Sequence, residues 1–576
     1  MSQTAILDHL SQLYGDNRAP DLARAIAQRI AATRQTLSDS DQGDCWDQRD
    51  ALLITYADSI QAPGEAPLAT LHDFAASHLG DAFSMIHLLP FFPFSSDDGF
   101  SVIDYRQVRP DLGTWADISA LGEDYRLAFD LILNHCSREG LWVADYVADV
   151  APYNGFFIEA DPSENLSMVT RPRTTALLRE VYTHRGVKHL WATFSHDQID
   201  LNFANPLVLM EFVDILLGYV EQGARVIRLD AVAYLWKEIG TPCIHLPQTH
   251  GVVKLLRLIL EAAAPGALLL TETNVPNAEN RSYFGEGDEA NLIYEFSLPP
   301  LLLHGLFTGS SRYLTEWMMS QQLDPPPPGC SVLNFTASHD GIGLRPLEGL
   351  VPPEEVALLL DGMRARGGFV ASKSNPDGSK SPYELNISLF DAFRDPRLEH
   401  DPWHVPSFRL SQVLALSLRG IPAVYIHSLT ATPNDPQGVE RTGRTRSINR
   451  RQWDRGELER LLANPDSNTA HVFLGYRKIL RLRRRHPAFH PDGPQELLLL
   501  GYHIFGVARE APDGSERIIC LFNFTPDLRS VSMDEPFWGS EPGTLWRDLI
   551  EDRPIPIERG RLQVAPYAAL WLVPGA

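Results

Sequence analysis

GARVIRLDAV, residues 223–232, decides the fold. The run is apolar apart from Arg225 and, towards its end, Arg228 and Asp230. Continuous rather than alternating apolarity suits a strand of a parallel sheet covered on both faces. Seven further runs read the same way: LLITYAD (52–58), FSMIHLLP (83–90), LAFDLILNH (127–135), ALLLTET (267–273), NLIYEFS (291–297), SVLNFTASHD (331–340) and GIPAVYIHS (420–428). Helical patterns separate several of them. PLVLMEFVDILLGYVEQG (206–223) has Asn205 as N-cap, Pro206 in its first turn and Gly223 at its end. FRLSQVLALSLRG (408–420) is another. Eight strands alternating with helices predict a (β/α)8 barrel of the TIM type, an α/β fold.

Working outward, two connections exceed a plain βα loop. Residues 137–200 make room for an inserted subdomain after the third strand, and 341–407 form a long excursion after the seventh. Long loops at the C-terminal face of a barrel usually build its active site. The catalytic unit therefore spans 51–490. Before it, residues 1–50 read as one helix, DLARAIAQRIAATRQTL (21–37), followed by the polar break SDSDQGD (38–44). After it, YHIFGVAREAPDGSERIICLFNF (502–524) reads as two strands around a DG turn. RLQVAPYAALWLV (561–573) reads as one more, so 491–576 form an antiparallel β domain. The prolines at 325–328 read as a stiff linker.

Composition narrows the function classes. The 576 residues carry 50 Lys and Arg against 73 Asp and Glu, a net charge of −23 that repels polyanions. Nucleic acid is therefore a poor partner. The five cysteines (45, 136, 243, 330 and 520) are sparse, odd in number and without CxxC spacing. They suggest a reducing compartment and exclude a cysteine-based zinc cluster. No cationic leader with an apolar core opens the chain, and no apolar run approaches the ~18 residues of a span. The expectation is a soluble cytoplasmic protein, monomer or homodimer.

Acids sit at the ends of the predicted strands. Asp230 ends the fourth and Glu272 the fifth. Asp340, preceded by His339, ends the seventh; Asn134 and His135 end the third. These groups would converge at the barrel mouth. Three carboxylates in one pocket lose solvation and repel one another, so stability alone does not gather them. Burial and like charge raise at least one of their pKa values, giving an acid and a nucleophile from one residue type. Retaining cleavage of a glycosidic bond requires that pair. Arg228 lies on the same strand face as Asp230 and can keep it ionised.

GARVIRLDAV, LLLTETN (268–274), NFTASHDG (334–341) and FDLILNH (129–135) together resemble the α-amylase family of retaining glycosidases. The resemblance implies Asp230 as nucleophile, Glu272 as general acid/base and Asp340 as transition-state stabiliser. Arg228, His135 and His339 look like residues around the bound glucosyl ring. LPFFPFSSDDGFSVIDY (89–105), IRLDAVAYLWKEIGT (227–241), LIYEFSLPPLLLHGL (292–306) and ASHDGIG (337–343) resemble the sucrose phosphorylase subgroup over residues 52–450. That implies Asp97 pinning the glucose, Phe100 beside it, and Phe194 with Gln198 on the acceptor side. Tyr234, in the second of these segments, is implied as a further substrate-binding position. Arg173, in TRPRT, matches an arginine associated with phosphate, and Tyr383 and Arg446 match acceptor positions on two loops, Tyr383 serving phosphate as well.

A phosphorylase differs from a hydrolase only in what attacks the glucosyl ester. Phosphate needs fixed positive charge beside an acidic pocket. Arg173 and the run VERTGRTRSINR (439–450) supply it, with Arg441, Arg444, Arg446 and Arg450. The basic run RKILRLRRR (477–485) reads as a solvated helix face. Glu384 stands where sucrose phosphorylases carry glutamine, the surrounding loop is longer, and the N-terminal segment is extra. These features look more like the branch that phosphorolyses glucosylglycerate. The expected reaction is phosphorolysis of an α-glucoside to α-glucose 1-phosphate and free acceptor, with no cofactor and no metal. Branches acting on sucrose, sucrose 6′-phosphate or glucosylglycerol share much of the pattern. A hydrolase or transglucosidase on the same barrel is a more distant alternative, and a non-catalytic sugar-binding barrel, which typically lacks one acid, more distant still.

Overall fold

Eight parallel strands close on themselves in chain order in the computed structural model, which describes residues 2–37, 46–375, 378–539 and 544–575. They are β1 (Leu52–Thr55), β2 (Met85–Leu88), β3 (Arg126–Leu131), β4 (Ala224–Leu229), β5 (Leu268–Thr271), β6 (Leu292–Tyr294), β7 (Ser331–Asn334) and β8 (Ile421–Tyr425). Closure is completed by β1, where Leu52 pairs with Met85 on one side and Ala423 on the other. Nearly every strand residue is buried, as expected for a sheet filled inside and covered by helices outside.

All eight predicted strands are present, but they are shorter than the apolar runs. β7 stops at Asn334, so Asp340 hangs from the following loop. β3 stops at Leu131; His135 opens a short strand, His135–Ser137, paired antiparallel with Gln198–Asp200. The apolar run continues past the rim because the loops above the barrel bury it as well.

The N-terminal segment holds two helices, not one. α1 (Ser2–Tyr14) precedes α2 (Ala19–Thr36). They pack on the barrel's own helices: α1 against α4 (Pro247–Ala263), and α2 against α3 (Pro206–Glu221) and α4. Arg29 fastens α2 to α3 through Asp214 at 2.7 Å and Glu221 at 2.5 Å. The break at 38–44 and Cys45 lie outside the described residues. The helix predicted from Asn205 and Pro206 forms as read, Asn205 accepting the Leu207 N–H at 3.1 Å.

Past β3, residues 137–200 form a helix (Leu141–Val147) and an antiparallel pair, Leu178–Thr183 with Gly186–Trp191. The excursion after β7 carries α5 (Pro353–Ala365) and a second antiparallel pair, Phe369–Ser374 with Lys380–Asn386. Gly343 pairs with Glu384 on the inner edge of that sheet. Next come α6 (His404–Ser417), β8 and α7 (Asn468–Arg483).

The C-terminal segment forms a six-stranded antiparallel sheet and a three-stranded one. The DG turn joins Ile504–Glu510 to Arg517–Asn523. RLQVAPYAALWLV is two strands in different sheets, Arg561–Val564 and Ala569–Pro574, because Pro566 and left-handed Tyr567 interrupt it. The basic run 477–485 is also not all solvated. Arg483 is 1 % exposed and donates to the carbonyls of Leu416, Gln48, Asp50, Gly420 and Phe489. Arg509, fully buried, donates to those of Ser417 and His490 at 2.8 Å. Arg509 thus joins the C-terminal sheet to α6, whereas Arg483 binds together segments of the barrel unit.

Candidate active site

Asp230 and Glu272 are each the first residue past a barrel strand, and the barrel ladder still holds their backbones. Asp230 N–H donates to Leu131 C=O at 3.2 Å and Glu272 N–H to Leu229 C=O at 3.0 Å. Ala231 then turns left-handed (φ 47°), a strained conformation for a residue with a Cβ. That turn aims its N–H at Glu272 Oε2, 3.0 Å away. Arg228 lies beneath, its Nη1 3.0 Å from Asp230 Oδ1.

Arg228 is not devoted to Asp230, however. The same Nη1 also contacts Asp130, which His87 bonds from the other side at 2.8 Å. Asp130 was absent from the sequence reading; a buried acid inside an otherwise apolar strand was its signal. Burial pushes the titration of Asp230 and Glu272 upward, and the neighbouring carboxylates add to it. The pair therefore holds a proton more readily than free acids would. Of the two, only Asp230 is in contact with Arg228, whereas Glu272 accepts one backbone N–H, an arrangement that favours the charge on Asp230 and the proton on Glu272.

Asp340 is set apart from that pair. Against the effect of burial, Arg446, Arg450 and Arg228 hold its carboxyl well below the usual range. Arg446 Nη1 is 2.5 Å from Asp340 Oδ1, while its Nε and Nη2 grip Glu384 at 2.9 and 2.6 Å. His339, which burial holds near a pKa of about 3, is neutral and stacks on Phe100 at 4.8 Å. Beside them, Asp97 and Asp98 both adopt positive φ (55° and 48°). Gly99 follows at φ 112°, where a Cβ would fall 2.7 Å from the Pro90 carbonyl. This tight turn points Asp97 inward, where Gln198 Nε2 donates to it at 3.3 Å. It points Asp98 outward to Arg444 and Arg450.

The opposite wall is aromatic. Phe194 meets Tyr234 edge-on at 5.5 Å and His135 at 5.2 Å. Arg173 lies over the rings of Tyr383 (5.3 Å) and Phe194 (5.9 Å) and forms no ion pair among the described residues. One cavity is thus lined by Asp97, Phe100, His135, Arg173, Phe194, Gln198, Asp230, Tyr234, Glu272, His339, Asp340, Tyr383, Glu384 and Arg446, with Arg228 just below. Thr273, Asn274 and Val275, which the sequence reading passed over, line it too.

The basic run divides between three places. Arg446 enters the cavity, Arg444 and Arg450 brace Asp98, and Arg441 faces a separate surface cleft beside Trp453. Its charge is not free: Arg446 is already matched by two carboxylates. Lys237, also overlooked, sits behind the third-strand loop with its Nζ 2.6 Å from Asp200 and 2.7 Å from Asn134 Oδ1. No cluster of three or more His, Cys, Asp or Glu side chains suited to a metal occurs among the described residues. The four cysteines among them are buried and free.

The α-amylase catalytic-domain model matches residues 79–315. A glucosylglycerate phosphorylase of Spirochaeta thermophila is 43% identical over 577 residues, covering 98% of this chain and 97% of that protein. One from Allomeiothermus silvanus is 46% identical, covering 92% and 94%. Among solved structures, sucrose 6F-phosphate phosphorylase from Thermoanaerobacter thermosaccharolyticum superposes with a TM-score of 0.71 at 25% identity, over 84% of this chain and 96% of that one.

Proposed function

The chain belongs to the glucosylglycerate phosphorylases within the α-amylase family, and from that membership we infer that it converts 2-O-α-glucosylglycerate and phosphate to α-glucose 1-phosphate and glycerate. The observation that carries this reading is likeness over nearly the whole length to proteins so named, on a chain whose cavity gathers five carboxylates, Asp230, Glu272 and Asp340 among them, and an arginine without an ion pair.

In the mechanism, Asp230 attacks the anomeric carbon while Glu272 protonates the departing glycerate oxygen. The charge and proton placement set by Arg228 and burial suits these two roles. Asp340 stays ionised against Arg446 and favours the oxocarbenium-like state, while Asp97, His135 and His339 hold the ring hydroxyls. Phosphate then enters on the same face. Arg173, cushioned on Phe194 and Tyr383, meets its charge, and Glu272, now ionised, assists its attack. Two inversions give net retention. Phosphate is a co-substrate; the proposal includes no cofactor or metal and no nucleic-acid partner. We place the enzyme in the cytoplasm as a monomer or homodimer; no helix among the described residues is long and apolar enough to cross a membrane.

The test is release of α-glucose 1-phosphate, with phosphate present, from glucosylglycerate, glucosylglycerol, sucrose and sucrose 6′-phosphate. Selective release from glucosylglycerate supports the reading. Release from another member alone moves the acceptor, and equal release of free glucose without phosphate overturns it.

A further inference from the structure

A second buried cation stands behind the acceptor wall. Arg345, two residues past the short strand Ile342–Gly343 in the excursion after β7, is only 9% exposed. Its Nη2 lies 3.6 Å from Glu279 Oε2 and its Nε 4.0 Å from Glu348 Oε1, both beyond hydrogen-bonding distance. Each of those oxygens already has a nearer partner: His245 Nε2 at 3.1 Å from Glu279, and Lys373 Nζ at 3.0 Å from Glu348. Arg345 Nε and Nη1 have no hydrogen-bond acceptor at all. A buried guanidinium with unpaired donors is costly to keep unless something else supplies the acceptor.

Its neighbours belong to the cavity. Leu344 N–H donates to the Tyr383 carbonyl at 3.0 Å, and Gly343 pairs with Glu384. A Cβ on Gly343 would fall 2.3 Å from the Asn274 amide, so backbone here rests directly on that side chain. Asn274 lines the cavity, and its Oδ1 is likewise buried without a donor. Asn274 thus packs against Gly343, two residues before Arg345 in the chain, and Arg345 is near enough to Tyr234 and Tyr383 of the cavity wall for its charge to act on both hydroxyls.

Resting on the reading above, we propose that Arg345 and Asn274 form the distal acceptor subsite, Arg345 taking the carboxylate and Asn274 a hydroxyl of a short anionic polyol. The two other arginines of the wall are otherwise engaged. Arg446 is neutralised by Asp340 and Glu384, and Arg173 faces the place of the attacking phosphate. Phosphate is compact, whereas a carboxylate on a three-carbon acceptor reaches farther from the anomeric carbon. A guanidinium fork set deeper in the wall meets the second anion without competing for the first.

The test runs the reaction in reverse from α-glucose 1-phosphate, with glycerate and glycerol as alternative acceptors. In Arg345→Met the ratio of kcat/KM for glycerate to that for glycerol falls about 30-fold, the size of one lost charged hydrogen-bonding partner. Arg345→Lys recovers part of the ratio, and Asn274→Ala raises KM for both acceptors. An unchanged ratio in Arg345→Met overturns the proposal, whether total activity is kept (water then serves Arg345) or falls equally for both acceptors (the role is then structural). A wild-type enzyme that glucosylates neither glycerate nor glycerol rejects the functional reading itself.

Discussion

Asp230 is where the mechanism is most exposed to test. Asp230→Asn keeps the Arg228 contact but removes the nucleophile, and activity should fall about ten-thousand-fold or more, measured as glucose 1-phosphate release. The proton on Glu272 makes a second test. Burial, with the charge of Asp340 nearby, raises its pKa above the ordinary 4.5. Glucosyl transfer requires Glu272 protonated, so the rate declines on the alkaline side as that raised pKa is passed. On the acid side it declines as Asp230 takes up a proton. The pH profile of kcat/KM is therefore a bell, and with α-glucosyl fluoride, whose leaving group needs no acid, Glu272→Gln should lose the alkaline limb. A limb that persists would assign it to another group. Glu384→Gln is the third test. It frees Arg446 from one of its two carboxylates, and the KM for phosphate should drop about three- to tenfold.

At the scale of elements, the barrel strands could be read because apolar runs without alternation have few other uses. Their ends could not. Apolarity continues through Ile132 and Leu133 beyond β3, since loops above the rim bury these residues as fully as the sheet buries Leu131. α1 was missed for another reason: at thirteen residues its amphipathic pattern is too short to be stable alone, and it gains its stability from packing on α4. Asp230 and Glu272 were legible because each is the first polar residue after such a run. Asp130, Lys237 and Asn274 were not, because their meaning comes from partners 98, 103 and 69 positions away, Arg228, Asn134 and Gly343. The loop after β7 offers its own experiment. Gly343→Ala places a Cβ against Asn274 and should displace the amide, raising the KM for glycerate about tenfold while the thermal midpoint changes little. A large fall in that midpoint would mean that the excursion itself had come apart.

On the scale of the whole molecule, the C-terminal sheet is tied to the barrel through Arg509, a buried arginine of the sheet that bonds to the Ser417 carbonyl of α6, while Arg483 binds together segments of the barrel unit itself. Arg483→Met would strand five carbonyls that now share one guanidinium. We expect a loss on the order of 3 kcal/mol or more, seen as a lower thermal midpoint, with kcat at 25 °C retained. The single cavity over Asp230 has a consequence of another kind. Retention brings phosphate and glycerate to the same face of one carbon, so neither can occupy its place while the other does. The enzyme then works as a balance: at given levels of the two glucosides, the direction of glucose traffic follows the ratio of the two free acceptors, and raising both together leaves that direction unchanged.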